Sequence, residues 1–295
     1  MLLLITASED GTSDLICREL GDKVFRFNFD IFADYFLEFT PEYWRITNPV
    51  GHTIDSNTVS SCFWWKAFNF PIKNQDKFIV DEVKYIFREL FSWCKLRGMV
   101  KGNPFDFHNQ LGKINILTIA AEYFEVPKTL ITFKCSGIEK FEKDDLVAKS
   151  LTTSLTDNMG TLLTTEVNRL QLHPDFPWFL QEKIVSDFDV TVFVCGENLF
   201  PYERSRANLK GLDWRSEQNF DPKVREWLNF ELSNADRQNI KSFCKKLNVD
   251  WGRLDLMRVN NKLIFLEFNA NGQWVFLDYS GEDRLVQAVS KYLME

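Results

Sequence analysis

Near the C-terminus two apolar runs, RLDLMRV (253–259) and LIFLEFN (263–269), flank Asn260, Asn261 and Lys262. Asparagine tolerates the left-handed backbone of a tight reversal, so this stretch is constrained to an antiparallel hairpin. Side chains alternate along a strand, which puts Glu267 and Asn269 on one face. If Asn260-Asn261-Lys262 is a three-residue loop, Val259 pairs with Leu263 and Asp255 falls opposite Glu267. A two-residue loop would shift the parity and turn Asp255 to the other face. Facing carboxylates repel and destabilise the pair on their own. A divalent cation reverses that sign, and an Asp, Glu, Asn set offers only oxygen ligands, which suits hard Mg²⁺ rather than zinc. The same residues also read as unrelated acids on a solvated hairpin face.

The rest of the chain surrounds this hairpin with alternating elements. LLLIT (2–6) is a short buried strand, EDGTSDLICREL a turn and helix, and KVFRFNFD (23–30) a second strand, a β-α-β opening. The turn lacks the G-x-G-x-x-G pattern of dinucleotide sites. SSCFWWKAFNFP (60–71) reads as a strand ending at Pro71. DEVKYIFRELFSWCKLRG (81–98) reads as an amphipathic helix closed by Gly98. VKGNPFDF is the first lobe boundary. LGKINILTIAAEYFEV is helical up to Pro127, TLITF a strand, and LVAKSL (146–151) a strand carrying Lys149. DVTVFVCGENLFPYE (189–203) forms a hairpin, PKVREWLNFEL and ADRQNIKSFCKKLNV are helical, and EDRLVQAVSKYLM closes the chain as a helix.

Lys149 inside an apolar run needs an anion, either a phosphate or a partner carboxylate. The loop Ser150 to Gly160 is rich in Ser, Thr, Asn and Gly, and such loops offer backbone N–H groups to phosphates or serve as turns. The chain has 295 residues and a net charge of −7, which speaks against non-specific nucleic-acid binding. No run reaches the roughly 18 apolar residues of a membrane span, and MLLLIT is a first strand rather than a signal peptide. The six scattered cysteines contain no C-x-x-C and read as reduced core thiols of a cytoplasmic protein. The 28 Phe read first as core. Three distant His argue against a zinc hydrolase.

Taken in order, Lys113, Lys149, QEKI (181–184), Asp189, DWR (213–215), Asp255 and LEFNANGQW resemble the ATP-grasp carboxylate–amine ligases. More narrowly, with VPKTLIT and FWWK, the chain resembles the graspetide maturases, which make microviridin-type ω-ester and ω-amide peptides. The resemblance implies an α/β (α+β) ATP-grasp fold: an N-terminal pre-ATP-grasp lobe (1–105), a central subdomain (106–184) and a C-terminal subdomain (185–295) carrying the metal hairpin. It implies ATP and Mg²⁺, with two ions sharing Glu267, and a precursor peptide of leader and core as partner. Homodimerisation is a further family expectation. Residue by residue, Lys113 and Lys149 match phosphate-binding lysines, and Gln181, Glu182, Lys183 and Ile184 the adenine linker. Asp189 matches the ribose acid, and Arg215 a base near the γ-phosphate and acyl phosphate. Asp255, Glu267 and Asn269 match the magnesium ligands. The activity implied is phosphorylation of Asp or Glu side-chain carboxylates of the peptide, followed by attack of Ser/Thr hydroxyls or Lys amines. The leader would dock on the hairpin and helices of 192–245.

Three departures stand out. Thr191 occupies a position where the family has Arg, Ala270 replaces Pro, and WWKA keeps only Lys66 of a W-Y-R-R signature. Arg253 and Lys66 are the basic residues left to supply the missing charge. Alternative readings are a ligase that adds a free amino acid to a protein or small acid, and a degenerate module that only binds peptide.

Overall fold

The hairpin turn is tighter than its asparagine-rich sequence suggests. In the computed structural model, which describes residues 1–73, 75–151, 164–207, 209, 211–212, 226–278, 281–282 and 284–295, only Asn260 and Asn261 form the turn. Both have positive φ (49° and 64°), and Val259 pairs with Lys262. This corrects the three-residue loop, whose register would have placed Leu263 opposite Val259. Two left-handed residues give the turn type whose twist matches the flanking strands.

The chain opens with β1 (Leu2–Thr6), α1 (Gly11–Leu20) and β2 (Val24–Asn28). An antiparallel excursion follows, β3 (Phe36–Phe39), β4 (Trp44–Thr47) and β5 (Thr53–Asp55), and then β6 (Ser61–Trp64), α2 (Lys77–Leu96) and β7 (Val100–Lys101). β1, β2, β6 and β7 form a parallel sheet in the order β2-β1-β6-β7. Alternation along β1 splits its side chains between two cores. Leu3 and Ile5 join Phe87, Leu90 and Trp44 on one face, while Leu2 and Leu4 join Ile16, Trp251 and Leu293 on the other.

Next come α3 (Phe107–Leu111), α4 (Lys113–Ala120), β8 (Thr129–Thr132), β9 (Asp145–Ala148), β10 (Thr165–Asn168) and β11 (Trp178–Glu182). These strands form an antiparallel sheet ordered β10-β9-β11-β8. The last sheet is β14-β13-β12-β15-β16, built from β12 (Phe188–Cys195), β13 (Asn198–Ser205), β14 (Leu228–Asn229), β15 (Trp251–Val259) and β16 (Lys262–Asn269). α5 (Asn234–Leu247) packs with α4 against this sheet, burying Ile240, Phe243, Phe265 and Phe268. α6 (Leu285–Met294) returns to the first sheet.

Most expected elements are present, but with differences: β6 ends at Trp64, well short of Pro71, and α4 ends at Ala120, short of Pro127. The helix read into PKVREWLNFEL is absent from its described part: Leu228 and Asn229 are a short edge strand, paired to Glu203 and Tyr202. β9 stops at Ala148, so Lys149 lies just past its end, its backbone N–H bonded to Phe179 O at 3.0 Å. All six cysteines are free, and Cys62, Cys94, Cys195 and Cys244 are buried. No helix among the described residues is long and apolar enough to cross a membrane.

Candidate active site

A two-residue turn should have sent Asp255 and Glu267 to opposite faces. A β-bulge between Asp255 and Leu256 restores the match: Leu256 pairs with Phe265, but Asp255 pairs with Glu267, leaving Leu266 as the extra residue. The opposition of the two carboxylates therefore holds for a reason other than the loop length. On the other side of β15, Asp255 is paired to Thr191 of β12.

The side chains converge. Asn269 Nδ2 donates to Asp255 Oδ2 at 2.8 Å and to Glu267 Oε1 at 3.2 Å, bridging the two acids. Thr191 Oγ1 contacts Asp255 Oδ1 at 3.0 Å and Leu254 O at 3.1 Å. Arg253 donates to both oxygens of Asp255, each at 3.0 Å, and to Gln273 O at 2.8 Å. Asp255 is thus bonded by a hydroxyl from β12 and a guanidinium from its own strand. Burial pushes the Asp255 carboxyl above its ordinary range, Arg253 pulls against that, and Glu267 adds to the rise. Burial opposes the charge on Glu267 too, but Lys149, Lys113, the Asn269 amide and Arg253 together outweigh it and hold that carboxyl low.

Glu267 and Asn269 form the wall between two cavities. One, of about 530 Å³, is lined by Lys113, Lys149, His108 and the aromatic rings of Trp64, Phe68 and Phe105. The other, of about 400 Å³, is lined by Lys149, Gln181, Glu182, Ile184, Asp189, Arg253, Asp255 and Met257. Lys66, Lys149, Glu267, Asn269 and Asn271 face both. Lys113, at the start of α4, donates to Ser150 O at 2.9 Å. Asp189 lies between Arg204 and Arg206, the latter at 2.7 Å. Lys183 turns away to Glu166 at 2.6 Å and lines neither cavity. Arg215, the DWR segment and most of the Ser150 to Gly160 loop lie outside the described residues.

The second cavity suits a planar, hydrogen-bonding ligand. The Gln181 side chain is buried, its Nε2 bonded to Thr129 Oγ1 at 3.0 Å while its Oε1 has no partner. Such an acceptor is costly unless a donor meets it. The carboxylate pair likewise fits a hard cation: oxygen donors on adjacent strands, with lysines beyond them. Among the described residues no group of three or more His, Cys, Asp or Glu is placed to hold a metal, so the candidate set is two carboxylates completed by an amide. A half-turn of the Asn269 amide presents its oxygen in place of its NH₂.

The site also uses residues that sequence reasoning did not place there. His108 and Asn271 line the cavities, and Ala270 N contacts His108 Nε2 at 3.4 Å. Burial, with Lys113 nearby, pushes the His108 imidazole below its ordinary value, while Glu267 pulls it up. Nothing in the local sequence marks His108; only packing of α3 against the end of β16 brings it in. The tail of LEFNANGQW divides in two: Trp274 is fully buried, stacked on Phe193, while Gln273 lines the second cavity and its Oε1 accepts from Thr12 Oγ1 at 3.0 Å.

No protein-family model and no curated protein matches this chain. Solved structures do. A RiPP-associated ATP-grasp ligase of Chryseobacterium gregarium, in complex with ADP and a leader and core peptide, superposes with a TM-score of 0.82 at 23% identity, over 99% of this chain and 96% of that one. The macrocyclase MdnC from Microcystis aeruginosa MRC, bound with its precursor peptide MdnA, gives 0.80 at 19% identity, over 99% and 98%. The ATP-grasp ligase PsnB, complexed with minimal precursor, Mg and ADP, gives 0.70 at 14% identity, over 100% and 98%. The chain has the ATP-grasp fold.

Proposed function

We propose that this chain is an ATP-dependent peptide macrocyclase. It activates Asp or Glu side-chain carboxylates of a ribosomal precursor peptide and joins them to Ser/Thr hydroxyls or Lys amines of the same peptide, forming ω-ester or ω-amide crosslinks. One observation carries the reading: the carboxylate–amide cluster stands between two cavities and is flanked by lysines. This is the arrangement needed to hold a polyphosphate on one side and a peptide on the other. Solved proteins of the same fold that bind leader and core peptides support the choice of partner.

In this reading Gln181, Glu182 and Ile184 receive the nucleotide base, and Asp189, steadied by Arg204 and Arg206, lies toward the ribose. Asp255, Glu267 and Asn269 would hold magnesium, which would neutralise phosphate charge there. Mg-ATP supplies the phosphoryl group that turns a poorly electrophilic carboxylate into an acyl phosphate, whose phosphate leaves readily. Lys149 and Lys113 contribute fixed positive charge where negative charge builds. Arg253, locked to Asp255 and the Gln273 carbonyl, keeps that carboxylate aimed across the hairpin. Arg215 is assigned to stabilise the negative charge that develops on the acyl phosphate and the tetrahedral intermediate. The rings of Trp64, Phe68 and Phe105 keep water from an activated acyl group that it would hydrolyse.

The test is incubation with Mg-ATP and a short Thr/Glu- or Lys/Glu-rich candidate precursor peptide, followed by mass spectrometry. We expect loss of one water per crosslink, coupled to ADP release. A gain in mass instead means addition of a free amino acid, and ADP-independent peptide binding with no mass change means a non-catalytic module; either result overturns the proposal.

A further inference from the structure

Lys66 is held in an uncommon backbone conformation. It follows β6 with φ at 52°, in the left-handed region that strains a non-glycine residue. Its neighbours fix it there. Trp65 and Ala67 are fully buried, Trp65 N bonds Ile5 O at 2.8 Å, and Lys66 O accepts from Asn69 N at 3.0 Å to start a short 3₁₀ turn. The strain breaks the alternation of β6 and delivers a half-buried ammonium to the junction of the two cavities.

That ammonium has no carboxylate within ion-pair distance among the described residues. It lies over the Trp65 ring, 5.0 Å from Nζ to the centroid. Asp10, the one acid whose charge favours it, is engaged in capping α1, with Oδ1 accepting from Ser13 N at 2.7 Å and Ser13 Oγ at 2.8 Å. Burial brings the Lys66 amine below its ordinary value; the charge of Asp10 opposes that, and the smaller repulsion of Arg253 adds to it. A positive charge placed this way is under-compensated, and an incoming anion relieves it. Arg253 does not compete for that role, because its guanidinium is spent on Asp255 and Gln273.

We infer that Lys66 binds the side-chain carboxylate of the peptide that is to be activated, and so selects Asp or Glu over Asn or Gln. The inference rests on the ligase reading above and adds to it the residue that chooses the acyl donor. A carboxylate suits Lys66 better than a phosphate does. Lys113 and Lys149 already stand on the side of α4 and β9, whereas Lys66 comes from the parallel sheet, beside the aromatic rings of the larger cavity.

The experiment uses the full chain saturated with Mg-ADP, and two probes: N-acetylglutamate N-methylamide and its glutamine counterpart, titrated by ligand-observed NMR. The wild type should favour the glutamate probe by about tenfold or more, as loss of one charge-assisted hydrogen bond implies. Lys66→Met should abolish the preference while leaving Mg-ADP affinity within about twofold, and Lys66→Arg should restore part of it. Lys66→Gly, which removes the backbone strain, serves as a second charge-free variant should the Met variant fold poorly. Persistence of the preference in the charge-free variants overturns the proposal, as does a wild type indifferent to the two probes. A loss of Mg-ADP affinity matching the loss of probe binding means the charge serves a phosphate, which also overturns it. If the wild type does not bind Mg-ADP at all, the ligase reading itself falls first, and the assignment of Lys66 with it.

Discussion

Asp255 and Glu267 face each other across one hairpin but sit in different fields. Arg253 is bonded to Asp255, while Lys149 and Lys113 act mainly on Glu267. Glu267 therefore carries the charge that couples the lysines and the Asn269 amide. Replacing it by Gln keeps the size but removes that charge. We expect Glu267→Gln to lower peptide-dependent ADP release by at least about a hundredfold, the scale for a charge acting on the transition state. The magnesium dependence of any residual rate should shift to higher concentration. A stopped assay of ADP against Mg²⁺, alongside a thermal melt showing that the variant is folded, checks this. Unchanged ADP release sinks the metal assignment. At this scale the sequence was informative wherever chemistry was unusual for its surroundings. A carboxylate and an amide ending an apolar strand, and a lysine after an apolar run, were legible. His108 and Asn271 were not, because each is unremarkable among its sequence neighbours and gains its place only from packing at the cavity.

The hairpin shows what a single element decides. Its turn is one residue shorter than the sequence suggested, and the bulge at Leu266 recovers the lost parity. Turn length could not be read because Asn260-Asn261 and Asn260-Asn261-Lys262 are equally good loops. The bulge was not legible either, since no glycine or proline marks it. The same element depends on close approach elsewhere. Gly252 has φ of 136°, and a Cβ there would collide with the Phe268 ring and lie 3.2 Å from Asn269 O. Overpacking of this kind costs about 1–3 kcal/mol. The backbone conformation adds a penalty of similar order. Phe268 sits between Glu267 and Asn269, so relief of the clash must displace a candidate ligand. Gly252→Ala is expected to lower stability by about 2–6 kcal/mol in urea unfolding, the sum of those two terms. It should also weaken Mg-ADP binding in calorimetry. A variant that loses stability but binds Mg-ADP normally would separate the packing of the hairpin's open end from the site.

Across the whole molecule, the first and last segments share a core. Leu2, Leu4, Phe63 and Trp65 from the N-terminal sheet pack with Phe193, Trp251, Trp274 and Leu293 from the rest of the chain. Two polar clasps cross the same boundary. Asn103 Nδ2 donates to Trp251 O at 2.7 Å and Ala270 O at 2.8 Å. Tyr292 Oη accepts from Gly102 N at 2.8 Å and donates to Asp250 Oδ1 at 2.8 Å. The sequence reading divided the chain at residue 105 because VKGNPFDF looks like a linker, and a linker is local information. Which core the odd and even residues of β1 enter is not local, since both sets are simply apolar. This makes the division a thermodynamic question. A fragment 1–105 keeps the face of β1 that carries Leu3 and Ile5 against α2, but exposes Leu2, Leu4, Phe63 and Trp65 to water. Burying one such side chain contributes about 1.5–3 kcal/mol. Uncovering four of them, with Ile16 of α1 still beside them, removes a large share of the stability of a domain, about 5–15 kcal/mol in all. We therefore expect the 1–105 fragment to aggregate or to unfold without a cooperative transition. Co-expression with 106–295 should rescue it into a complex that melts as one unit. Circular dichroism melts of the fragment alone and of the co-purified pair decide the matter: a fragment with its own sharp transition would mean that the α6 face of the sheet contributes little, and that this lobe is an independent domain after all.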